Sequence, residues 1–95
     1  MSVLVERSVT VVNRLGLHAR AAARLVRTAS EYRSAVRLER ADRSAAADAK
    51  SILSVLMLAA SRGTELRVEA DGPDEAAALA AVCGLIEGGF GEEKA

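Results

Sequence analysis

The sequence predicts an α+β domain: a largely antiparallel four-stranded sheet with three helices on one face, in the order β-α-β-β-α-β-α. Three observations point there. The segments with strand character each carry one apolar and one polar face, the pattern of a sheet covered on one side and wet on the other. The longer segments between them place apolar residues at helical spacing. The length of 95 residues allows one domain, residues 1–95, with a thin core.

Residues 3–12, VLVERSVTVV, are rich in Val and Thr and read as the first strand. Val5, Val9 and Val11 share one face, with Arg7 in their midst. NRLG then turns the chain. From Ala19 to about Ser30 the residues Ala22, Leu25, Val26 and Ala29 form an apolar stripe, and Arg20, Arg24 and Arg27 lie on other sides of this helix. SAVRLER sets Val36 and Leu38 against Arg37 and Glu39, a second strand. RADRS is a turn, and AAADA, poor in strand formers, is a short or irregular third strand. KSILSVLMLAAS is a short apolar helix with Ser51 as its N-cap. TELRVEA alternates, with Leu66, Val68 and Ala70 on one side, and is the last strand. DGP turns into a second long helix with Asp74 and Glu75 in its first turn, where negative charge suits the helix dipole. Its stripe is Leu79, Val82, Cys83, Ile86 and Phe90, and residues from about 91 to 95 read as a frayed tail.

Composition excludes several classes of function. Thirteen basic residues balance thirteen acidic ones, and aromatics make up 2% of the chain. There is no bulk charge for nucleic acid and no stacking platform for bases. One His and one Cys cannot make a typical zinc site, and no glycine-rich phosphate loop occurs, so neither metal nor cofactor is expected. Lone Cys83 suits a reducing compartment and a place in the core. MSVLVERSV lacks the charged-then-apolar form of a signal peptide, and SILSVLMLAAS is too short to span a bilayer, so a cytoplasmic protein without membrane insertion is expected.

The chemistry concentrates at residues 16–20. Gly16 permits a sharp turn, and His18 falls at or next to the N-cap of the first helix. The first N–H groups of a helix have no internal partner and, with the dipole, attract anions. Arg20 adds a planar charge suited to phosphate oxygens. An imidazole titrates near neutrality, so a neutral, nucleophilic fraction exists at cellular pH.

GLHARAAARLV resembles the active-site segment of the HPr family, the histidine-containing phosphocarriers of the bacterial phosphotransferase system. AKSILSVLMLAASRGTELRVEADGPDEAAALAAV resembles the second half of that family, and the match covers nearly the whole chain. It implies the family's open-faced β-sandwich. It implies that His18 takes a phosphoryl group on Nδ1 from phosphorylated Enzyme I, itself charged by phosphoenolpyruvate, and passes it to a histidine of an EIIA-type domain. The protein would then be a phosphorylated intermediate and not a turnover enzyme. Arg20 and the backbone at Gly16 and Ala19 would hold the phosphoryl oxygens. Ser51 matches the family's regulatory serine, a substrate of HPr kinase/phosphorylase in some bacteria. Arg20, Arg24 and Arg27 would form a basic rim, and Ile52 and Leu53 an apolar contact, for partners. Leu53 is the more exposed of these two by expectation, and Ile52 leans towards the core. A monomer is expected.

Two departures stand out. Many members carry proline where Ala21 stands, and RADRSAAADAK is longer than the usual hairpin. KSI resembles the sugar-transport, kinase-regulated type, whereas ALAAVCGLIEGGFGE resembles the nitrogen-related branch. An alternative from another class is a non-carrier regulatory module of the same fold, acting through Ser51 and the Ile52/Leu53 face. The joint presence of His18 and Arg20 speaks against it.

Overall fold

A computed structural model describes residues 4–92. The elements are β1 (Val5–Thr10), α1 (Ala19–Ser30), β2 (Ala35–Arg40), β3 (Ala46–Asp48), α2 (Ile52–Met57), β4 (Glu65–Asp71) and α3 (Glu75–Glu87). A 3-10 turn, Gly89–Gly91, follows. The strands form one sheet in the order β1-β4-β2-β3, and every pairing is antiparallel. This is the predicted α+β architecture. The start of the predicted first strand at residue 3, and the tail residues 93–95, lie outside the described residues.

Register explains the two faces. Val5, Ala70 and Val36 stand in one cross-strand row, and Arg7, Val68, Leu38 and Ala47 in the next. Val36, Leu38, Ala47, Leu66, Val68 and Ala70 are all buried under the helices. Burying this aliphatic face and the helix stripes is the main stabilising term, at about 25 cal/mol per Å² of apolar area. Two arginines on the same face sit where their long side chains can leave it. Arg7, on edge strand β1, reaches Glu87 of α3 at 3.0 Å. Arg40 donates to the Leu58 carbonyl at 3.1 Å, just past the end of α2. The opposite face is a charged ladder in which Arg67 pairs with Glu39, with Glu69 at 3.2 Å and with Glu6 at 3.5 Å.

β3 has only three residues, as its alanines lead one to expect. The hairpin before it is closed by Asp42, whose carboxylate accepts from the Ser44 N–H at 2.9 Å. α1 has the predicted bounds and buries Ala21, Ala22, Leu25 and Ala29. In α2 Ser51 is the N-cap, its Oγ accepting the Ser54 N–H at 3.2 Å. α3 buries Ala78, Val82, Cys83 and Ile86, while Leu79 is half-buried. Burial pushes the Cys83 thiol up to about 11, against the nearby Arg7 charge and with Glu87 adding to the rise, so it is a packing residue.

Phe90 corrects the predicted stripe. It is buried, yet it lies beyond the helix, which stops at Glu87 ahead of two glycines. Its φ of 58° turns the chain back across the molecule. The predicted frayed tail is also corrected in its first two residues. Gly91 closes the 3-10 turn, and Glu92 is held by side-chain hydrogen bonds.

Candidate functional site

The site begins with a tight turn. The Gly16 N–H donates to the Asn13 carbonyl at 3.2 Å, and the Leu17 N–H donates to the Ala60 carbonyl at 2.9 Å. Gly16 has φ +66°, and a Cβ there would lie 2.6 Å from the Ala60 oxygen and 2.8 Å from Ser61 Cα. Only glycine fits both the conformation and this approach of two backbones. The turn drops Leu17 into the core and leaves His18 as the N-cap of α1, extended at ψ 176°. The His18 carbonyl accepts the Ala22 N–H at 2.8 Å and starts the helix, while its imidazole makes no capping bond. The Ala19 and Arg20 N–H groups open the helix and have no acceptor among the described residues.

His18 Nε2 lies 2.7 Å from a carboxylate oxygen of Glu92, and both side chains are largely covered. The other Glu92 oxygen accepts from Asn13 Nδ2 at 3.0 Å. The same amide nitrogen donates to the Gly16 carbonyl at 2.8 Å. Asn13 is fully buried and its Oδ1 has no partner among the described residues. Leaving such an acceptor unpaired costs about 1–3 kcal/mol. Both amide hydrogens are therefore committed to joining the turn, the carboxylate and, through it, the imidazole. Burial raises the Glu92 carboxyl, but the Asn13 and His18 hydrogen bonds and the His18 and Arg24 charges outweigh it and hold the group below its ordinary range.

Glu92 and Asn13 are the residues that sequence reasoning missed. Glu92 lies among the residues taken for tail, and Asn13 reads as an ordinary turn residue. The one local hint is Phe90, an apolar anchor three residues after the helix ends. Arg14 is a further addition. It lines a shallow depression together with Leu15, His18, Arg20 and Glu92, so two guanidinium-bearing residues flank the imidazole and not one.

The other predicted residues fall as follows. Arg20 is exposed in the depression, and Ala19 is the exposed first residue of α1. Gly16 is corrected from phosphate ligand to turn former, because its N–H and carbonyl are both engaged within the turn. Arg24 donates to the Phe90 carbonyl and so ties α1 to the C-terminal turn, while the residue remains exposed. Arg27 is exposed in the last turn of α1, where its charge suits the dipole. Ile52 and Leu53 are 45% and 69% exposed, which corrects the leaning of Ile52 towards the core. The six-residue α2 turns Val55 inwards, followed by Leu58, and leaves Leu56 and Met57 outside as well. Ala21 is fully buried in the first turn, where its N–H needs no helical partner, so alanine keeps the helix start intact. Among the described residues no group of three or more His, Cys, Asp or Glu is placed to hold a metal, and no helix is long and apolar enough to cross a membrane.

One half-buried imidazole at a helix start, opening on a shallow surface with cationic neighbours, suits a protein that presents a group to other proteins. This is the class of the phosphocarriers, which are not turnover enzymes. The family described as the PTS HPr component phosphorylation site matches residues 5–88, and the chain belongs to the HPr family of the phosphotransferase system. It is 46% identical over 89 residues to the phosphocarrier protein HPr of Cupriavidus necator, covering 94% of this chain and 98% of that one. It is 40% identical, with the same coverage, to the phosphocarrier protein NPr of Klebsiella oxytoca. The crystal structure of HPr from Thermoanaerobacter tengcongensis superposes with a TM-score of 0.86 at 39% identity, over 94% of this chain and 98% of that one.

Proposed function

We propose that this phosphocarrier takes its phosphoryl group on Nδ1 of His18 from phosphorylated Enzyme I and delivers it to a histidine of an EIIA-type domain. The observation that carries this reading is the 2.7 Å contact between His18 Nε2 and Glu92. It occupies one ring nitrogen and leaves the other as the nucleophile. The Nδ1 lone pair forms the new N–P bond while the donor's P–N bond breaks, and that electron pair stays on the donor nitrogen. Delivery reverses the step. The open N–H groups of Ala19 and Arg20 and the guanidinium of Arg20 supply charge stabilisation. Their exposure keeps the phosphoryl within reach of the next histidine. A single copy suffices, because every group named belongs to one chain.

The test uses purified protein, Enzyme I and labelled phosphoenolpyruvate. Acid-labile, base-stable label is expected on the protein and absent from His18→Ala. Label persisting in that variant removes His18 from the role.

Ser51 is the regulatory site in this reading. Its Oγ already caps α2, so a phosphate there meets a favourable helix end, while its roughly −1.5 to −2 charge alters the adjoining surface of Ile52 and Leu53. HPr kinase/phosphorylase and ATP are expected to label the native protein and not Ser51→Ala. Equal labelling of both would place the regulatory site elsewhere.

A further inference from the structure

We propose that Glu92 is a positioning residue for phosphoryl transfer: it holds the proton of His18 on Nε2 and stays paired with that N–H while the phosphoryl group occupies Nδ1. The proposal rests on the reading that His18 is the phosphoryl acceptor.

The geometry supplies both ends of the device. On the backbone side, buried Phe90 anchors the turn after α3, and its carbonyl is tied to Arg24 of α1. Glu92 is therefore two residues from a fixed point. On the carboxylate side, Asn13 holds one oxygen at 3.0 Å and leaves the other facing Nε2 at 2.7 Å. Asn13 is itself pinned to the Gly16 carbonyl at 2.8 Å, inside the turn that places His18. Loop, imidazole and C-terminal turn thus meet at one carboxylate.

The chemistry follows from the protonation rules of imidazole. A neutral ring has one N–H and one lone pair, and an ionised carboxylate only accepts, so the N–H must be on Nε2. That leaves the lone pair on Nδ1. When Nδ1 attacks phosphorus, the ring gains positive character. No proton leaves, and the carboxylate at Nε2 then faces a cationic donor, which strengthens the bond. Delivery of the phosphoryl group returns the ring to neutrality with the proton still on Nε2. Glu92 thereby favours the charged form of the carrier without touching the phosphoryl group. The positive groups nearby, Arg14 and Arg20 in the depression and Arg24 behind the turn, balance its negative charge near an anionic ligand.

The experiment compares the native chain with Glu92→Gln and Glu92→Ala. Ring nitrogen-15 shifts of the unphosphorylated protein, above the imidazole titration, report the tautomer. The equilibrium of labelled phosphoryl between Enzyme I and the carrier reports the stability of the charged form. The Nε2–H form should dominate in the native protein and give way to a mixed population in Glu92→Ala. Glu92→Gln, which keeps an acceptor oxygen but no charge, should retain more of that bias. In both variants the equilibrium constant should fall about three- to tenfold towards Enzyme I. Unchanged tautomer and equilibrium in Glu92→Ala, with His18 still labelled, overturn this proposal and leave the carrier reading standing. No label on the native protein overturns both.

Discussion

Gly16 shows how one residue can fix a site without taking part in its chemistry. Its positive φ and the 2.6 Å approach of a hypothetical Cβ to the Ala60 oxygen mean that any side chain must push two loops apart. Gly16→Ala is expected to destabilise the fold by roughly 2–4 kcal/mol, combining left-handed strain with the clash. Urea unfolding measures this. The variant should also displace His18 from Glu92, because Asn13 binds the Gly16 carbonyl and the Glu92 carboxylate together. A loss below 0.5 kcal/mol would show that the loop after α2 gives way freely.

At the scale of elements, the start of α3 is bound to the start of β2 through Asp74. Its carboxylate accepts from the Ser34 Oγ at 2.5 Å and from the Ser34 and Arg33 N–H groups at 2.8 and 2.9 Å. The Ser34 hydroxyl bond, followed by the Arg33 N–H, lowers the Asp74 carboxyl to about 2 against the opposing effect of burial. The unfolded chain holds this carboxyl near its ordinary value, so unfolding in acid takes up a proton. The stability that Asp74 contributes is therefore complete above about pH 4 and is lost as the pH falls towards 2. Asp74→Asn should flatten the dependence of the urea midpoint on pH in that window, and an unchanged slope would contradict the assignment. α2 lies at the other extreme. Its six residues and one side-chain cap make a short platform whose value is what it displays.

Across the whole molecule, one helix face is buried deeply while another is left wet and apolar. Leu53 and Met57 are 69% and 72% exposed on α2, and Leu15 beside His18 is 67% exposed. In the carrier reading these residues contact Enzyme I, and the arginines around His18 steer the encounter with acidic partners. Leu53→Gln should change stability by less than about 0.5 kcal/mol, because the side chain is mostly in water already. It should raise the KM of Enzyme I for the carrier about three- to tenfold with little change in kcat. An unchanged KM would place the docking surface elsewhere.

The sequence by itself determined the order of elements, the bounds of α1, the buried sides of β2 and β4, the Ser51 cap and the placing of His18 at a helix start. These are local matters: alternation of period two, a stripe of period 3.6 and capping chemistry are written within a few neighbouring residues. Tertiary structure alone decided which residues meet His18. Glu92 is 74 positions away in the chain, and Phe90 is buried beyond the end of α3, where Gly89 and Phe90 itself both take a positive φ. The tie from Arg24 of α1 to the Phe90 carbonyl is decided in the same way. Periodicity cannot register such a contact. It depends on the direction the chain takes after a helix has ended, and that direction is set by packing against the rest of the molecule.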